Sequence, residues 1–156
     1  MPVRLGIVIA AAAAAVLTAA GSAGIAAPKQ RIAIEERVAN QAGTFKLIPL
    51  APGPIKADSG KVFYTLKPGA IVTTLGQRVT TYTVTQTLSG KRGVIELKGT
   101  TKSADAGGGY LAGSGTWSVT DGTRAYAGLR GAGRESGVLT PAKIFHTRYE
   151  GFVTLP

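Results

Sequence analysis

The stretch RVTTYTVTQTL (residues 78–88) decides the fold. Tyr82, Val84 and Leu88 fall on one face and Thr81, Thr83, Thr85 and Thr87 on the other, the period of two of a β-strand with a threonine-covered outer side. The same spacing joins Ile32 with Ile34, Phe45 with Leu47, Val62 with Tyr64 and Leu66, Ile95 with Leu97, Trp117 with Val119, and Phe145 with Tyr149 and Val153. Each pattern predicts a strand with one apolar face. Between them lie Pro52-Gly53-Pro54, Pro68-Gly69, Ser89 to Gly93, Asp105 to Gly109 and Asp121-Gly122, all with the chemistry of turns. Such short connections make neighbouring strands antiparallel. Only residues 123–129 read as a brief helical or irregular turn. The pattern predicts an all-β chain of about eight strands, enough to close a small antiparallel barrel. A two-sheet sandwich is the alternative; glycines inside strand-like segments, at 113, 115, 131, 133 and 137, favour the tighter coiling of a barrel. No internal repeat, linker or charge block divides residues 27–156, which are expected to form one domain.

The 156 residues contain no Cys, one His, one Met and one Trp, with 18 Lys+Arg against 8 Asp+Glu for a formal charge of +10. Without Cys there is no disulfide, thiolate nucleophile or iron–sulfur ligand, and one His cannot build a multi-His metal site. No cofactor and no metal are expected. Neither G-x-x-x-x-G-K-[ST] nor G-x-S-x-G occurs. The glycines of Gly131-Ala-Gly-Arg-Glu-Ser-Gly137 miss the dinucleotide-binding spacing by one place, and no βαβ unit surrounds them.

Arg4 precedes an uncharged run from Leu5 to Ala20 and the small residues Gly21 to Gly24, the signature of a secretory signal peptide. Cleavage is expected after Ala26. The run is alanine-rich and short of the ~20 apolar residues of a membrane span, so no stable membrane insertion is expected and the chain reads as secreted. Loss of Arg4 leaves 17 basic against 8 acidic residues, or +9. That charge suits solubility, and it equally suits an extracellular protein that binds acidic polymers. Its Lys and Arg are scattered and its aromatics hold core-like positions, so a nucleic-acid partner is not expected.

His146 alternates opposite Phe145 and Tyr149 and is expected to face solvent rather than to act as a base. Glu35 and Glu36, adjacent on a strand, point to opposite faces and cannot pair with each other for catalysis. One of them can point inward, its charge met by Arg37 or Arg148, or its pKa raised by burial.

The segment GSGTWSVTDGTRAYAGLRGAG (residues 113–133) resembles the strand, V-T-G-G-T-G-x-[FY]-x-G turn and glycine-rich strand shared by allene oxide cyclase-like and dirigent-like barrels, and KIFHTRY (143–149) is similar to the closing strand of the cyclases. The resemblance is strongest over Gly113 to Gly151. It implies an eight-stranded antiparallel barrel, a homotrimer and an apolar cavity for a fatty-acid epoxide or a phenolic intermediate. The cyclases carry E-x-N-E-R on the first strand; here Ala33-Ile-Glu-Glu-Arg37 places Ala33 at the leading carboxylate and Glu35 at the asparagine, and the cyclase cysteine has no counterpart. No catalytic residue carries over. The sequence therefore points to a secreted, non-enzymatic barrel that binds a hydrophobic small molecule. Tyr64, Tyr82, Trp117, Phe145 and Tyr149 are the expected cavity-lining residues, with Glu35 as the polar one. The alternative is an isomerase, cyclase or dirigent-type protein using Glu35 or Glu36.

Overall fold

The computed structural model describes residues 27–156, so the expected signal peptide lies outside the described residues. Eight strands follow in order: β1 (Gln30–Ala39), β2 (Ala42–Pro49), β3 (Asp58–Thr74), β4 (Gln77–Gly90), β5 (Val94–Gly107), β6 (Tyr110–Gly122), β7 (Arg130–Leu139) and β8 (Ile144–Thr154). Each pairs antiparallel with its chain neighbours, and β8 returns to β1, so one eight-stranded sheet closes in a ring. Closure leaves no long free edge except on β3, whose pairing with β2 stops at Phe63 while the strand runs on to Thr74. A 3₁₀ turn, Arg124–Tyr126, sits in the segment expected to be irregular.

Alternation sends Ile32, Ile34, Phe45, Leu47, Val62, Leu88, Ile95 and Leu97 into the ring, where they are buried. Trp117 crosses the interior beside Gly151, whose missing side chain leaves room for the indole. Its Nε1–H donates to the Arg134 carbonyl at 3.1 Å.

One end of the ring is plugged. Ile55 from the β2–β3 connection, and Tyr126 and Leu129 from the β6–β7 connection, are buried against the core. Two polar side chains hold these loops in place. Gln30 donates to the carbonyls of Ala51 and Ile55, each at 2.9 Å, and accepts the Ile55 N–H at 2.8 Å. Asp58 accepts the Tyr126 hydroxyl at 2.8 Å and the backbone N–H groups of Ser59, Lys91 and Arg92. Burial pushes the Asp58 carboxyl up, but the hydrogen bonds from Tyr126, Arg92, Ser59 and Lys91 outweigh it and hold the group below its ordinary value.

Pro68-Gly69, expected as a turn, is instead an irregularity within β3, where the register with β4 shifts between Pro68 and Ile71. Proline is tolerated there because the β2 side of the strand carries no ladder and no hydrogen bond is lost. The actual reversal lies at Leu75-Gly76, with φ of 51° and 75°.

Candidate functional site

The other end of the ring opens into a cavity of about 150 Å³. Val38, Leu66, Val84, Leu111, Leu139 and Phe145 provide most of its apolar wall, one or two from each of several strands. Tyr64 and Tyr82 also line it, and the Tyr64 and Phe145 rings meet edge to face with centroids 5.8 Å apart. Tyr149 lies at the floor, its ring 6.4 Å from Trp117, which closes the cavity from below.

Four of the six residues expected to line a cavity thus do so: Tyr64, Tyr82, Phe145 and Tyr149. Trp117 is buried but belongs to the packed core beneath. Glu35 is corrected outright. It faces outward and forms an ion pair with Arg148, which also donates through Nε to Glu150 at 2.8 Å. The carboxyl inside the ring is Glu36, because it shares parity with Ile32, Ile34 and Val38. Arg37 and Arg148 both project outside and satisfy no inward carboxylate.

Glu36 is 5 % exposed, and no Lys, Arg or His among the described residues lines its cavity. Gln86 donates to its Oε2 at 2.9 Å and to the Tyr149 hydroxyl at 2.6 Å. Glu36 Oε1 has no partner among the described residues. A second carboxyl, Glu135 on β7, enters the same space, held by the Thr101 hydroxyl. Burial, reinforced by the Glu135 charge, raises the Glu36 pKa to about 8 against the weaker opposing pull of the Gln86 and Tyr149 hydrogen bonds. Burial also raises Glu135, although hydrogen bonds from Thr101 and Tyr149 favour its charged form. The Tyr149 hydroxyl is pushed well up by burial and by both carboxyl groups. The floor is therefore a cluster of Glu36, Gln86, Glu135, Thr101 and Tyr149 in which Glu36 keeps its proton at neutral pH in an otherwise apolar chamber.

Glu35 was the polar residue expected in the cavity, although the spacing of two from Ile32 and Ile34 was the signal that could have pointed to Glu36 instead. Glu135 also alternates with the β7 glycines, but an Arg-Glu pair among glycines has no apolar neighbours to mark its inner face. Gln86 lay within the 78–88 stretch, between Val84 and Leu88. His146 stands outside and exposed, in a shallow surface depression with Arg37, Lys46 and Arg148.

No protein-family model, curated protein or solved structure matches the chain, which leaves the chemistry of the chamber to be read from its own residues.

Proposed function

We propose that this is a secreted protein of the allene oxide cyclase-like and dirigent-like barrel type, and that its chamber binds an apolar small molecule with one hydrogen-bonding end. The observation that carries this reading is Glu36 Oε1, a buried oxygen without a partner at the floor of an apolar chamber. Buried polar groups in folded proteins are nearly always satisfied, and an orphaned one facing a cavity is a place for a ligand's hydroxyl or similar group. A chamber of about 150 Å³ suits one aromatic ring or a short aliphatic chain, and its open mouth lets a longer tail extend outward.

Ligand-observed NMR with p-cresol and toluene tests this. Both are expected to bind saturably, p-cresol more tightly. Glu36→Leu is expected to weaken p-cresol about tenfold, the loss of roughly one buried hydrogen bond, and to spare toluene. Absence of saturable binding by either compound overturns the proposal, as does binding unchanged by Val84→Trp, which fills the chamber.

A second reading, an isomerase or cyclase, is favoured by the placement of two raised carboxyls around one cavity, of which Glu36 keeps its proton at neutral pH and can serve as a general acid. Turnover of a fatty-acid epoxide that disappears in Glu36→Gln, with the fold intact, would establish it over simple binding. Lack of turnover by the unaltered protein would remove it.

A further inference from the structure

We propose that the β3–β4 hairpin is a membrane-docking tip that sets the open mouth of the ring against an anionic lipid surface. This inference concerns the outside of the mouth and stands apart from what the chamber holds.

Every residue from Thr65 to Arg78 is exposed. Past Tyr64, whose N–H still bonds the Gln41 carbonyl, β3 has only β4 beside it, and the β4–β5 ladder begins at Val79, with the Gln77 amide donating to the Asp105 carbonyl at 2.7 Å at the base of the turn. The tip is a two-stranded ribbon without a third strand in its ladder, and it is apolar. Ile71 is 51 %, Val72 55 % and Leu75 101 % exposed. Ile71 pairs with Thr80 and Val72 with Val79, so consecutive apolar residues point to opposite faces and Leu75 crowns the turn. A ribbon that is apolar on both faces and at its end has no single side to lay against a protein partner. It matches a medium that surrounds it, the acyl boundary of a lipid layer.

Leu75 carries a second oddity. The two-residue turn requires positive φ at both central positions, which favours Asn, Asp or Gly, and a leucine at φ 51° is strained there as well as fully solvated. Neither folding nor solubility accounts for that residue.

Charge selects the kind of lipid. The chain segments that form the mouth, residues 38–44, 65–80, 100–112 and 138–146, hold Lys67, Arg78, Lys102 and Lys143 against Asp105 alone. Tyr110, 44 % exposed at the start of β6, adds an aromatic ring at the same rim, the amphipathic type that settles at headgroup depth. A net positive collar around an apolar tip fits an anionic bilayer, approached reversibly from outside and without a spanning segment.

The absence of native Cys makes a direct test simple. An environment-sensitive fluorophore on Thr74→Cys, beside the tip, is compared with the same fluorophore on Arg130→Cys at the plugged end. Vesicles of phosphatidylglycerol and phosphatidylcholine are expected to shift the Thr74 probe to the blue, to leave the Arg130 probe unmoved, and to lose this effect as salt rises. In co-flotation, Leu75→Asn is expected to lower vesicle partitioning at least tenfold with the unfolding midpoint unchanged or raised, because asparagine suits the turn. A shift at neither probe or only at position 130, equal partitioning of Leu75→Asn, or equal binding to neutral phosphatidylcholine vesicles overturns the proposal. So does a blue shift of the Thr74 probe that grows with protein concentration without vesicles, which would assign the tip to a second copy of the chain.

Discussion

Raising the pH from 5 to 9 is expected to cost the protein several kcal/mol of folding stability, and Glu36→Gln is expected to abolish most of that loss. Below about pH 4.5 the Glu36 carboxyl is protonated in both the folded and the unfolded chain, and the pH dependence it contributes is nil. Above that value the unfolded chain ionises while the folded chain keeps its proton until about pH 8. Unfolding then releases a proton, and stability falls by ~1.4 kcal/mol for each pH unit across the window. The full difference, from 4.5 to about 8, amounts to roughly 5 kcal/mol, equivalent to a drop in Tm on the order of 15 °C. Above pH 8 both states are ionised and the loss is complete.

The groups that face Glu36 reinforce this direction. Glu135 is itself raised and adds loss in the same sense, Tyr64 and Tyr149 are raised further from neutrality, and no cationic side chain among the described residues lines the chamber to offset the second charge. In Glu36→Gln the isosteric amide cannot ionise. The variant is therefore expected to match the parent near pH 5 and to exceed it at pH 9, a divergence that thermal melts at several pH values read directly. Parallel curves for the two proteins would mean that Glu36 is solvated well enough to ionise normally, and the proton-holding floor would be lost with it.

Gly133→Val is expected to abolish cooperative folding. A Cβ at position 133 would stand 2.0 Å from the Glu150 carbonyl oxygen and 2.6 Å from the Gly151 Cα, both backbone atoms of the paired strand. Relief requires β7 and β8 to separate, and these strands are two of the eight whose pairings close the ring. The neighbouring Gly151 has no slack either, since a Cβ there would meet the Trp117 ring at 2.8 Å. Overpacking a core ordinarily costs 1–3 kcal/mol; a clash with the backbone of the paired strand, which cannot turn aside as a side chain can, is expected to exceed about 4 kcal/mol. The near-ultraviolet dichroism of Trp117, the single indole, together with loss of a sharp melting transition, provides the readout. A variant that melts cooperatively within ~1 kcal/mol of the parent would show that the strands can part locally without opening the ring.

The all-β class was legible in residues 78–88, because alternation on a strand with one buried face is a local property: each side chain's direction follows from its neighbour's. The same rule, carried from Ile32 and Ile34 along β1, points to Glu36 as the inward carboxyl, yet Glu35 was the one expected in the cavity, and the structure had to correct it. Pro68-Gly69 shows where local reading stops. The dipeptide has turn chemistry wherever it stands, and it lies within a strand here only because β2 has already ended and leaves that edge free.

What the chain determined by itself is the eight-strand rhythm, the inward faces and the absence of thiol chemistry, all consequences of residue type and spacing. Only the tertiary structure decided that Glu36 and Glu135, 99 positions apart, share one chamber with Gln86 and Tyr149, and that Glu35 spends its charge on Arg148 outside. The physical reason is closure. Ring registry brings β1, β4, β7 and β8 around a common space, and the burial that raises both carboxyls exists only once all eight strands surround them.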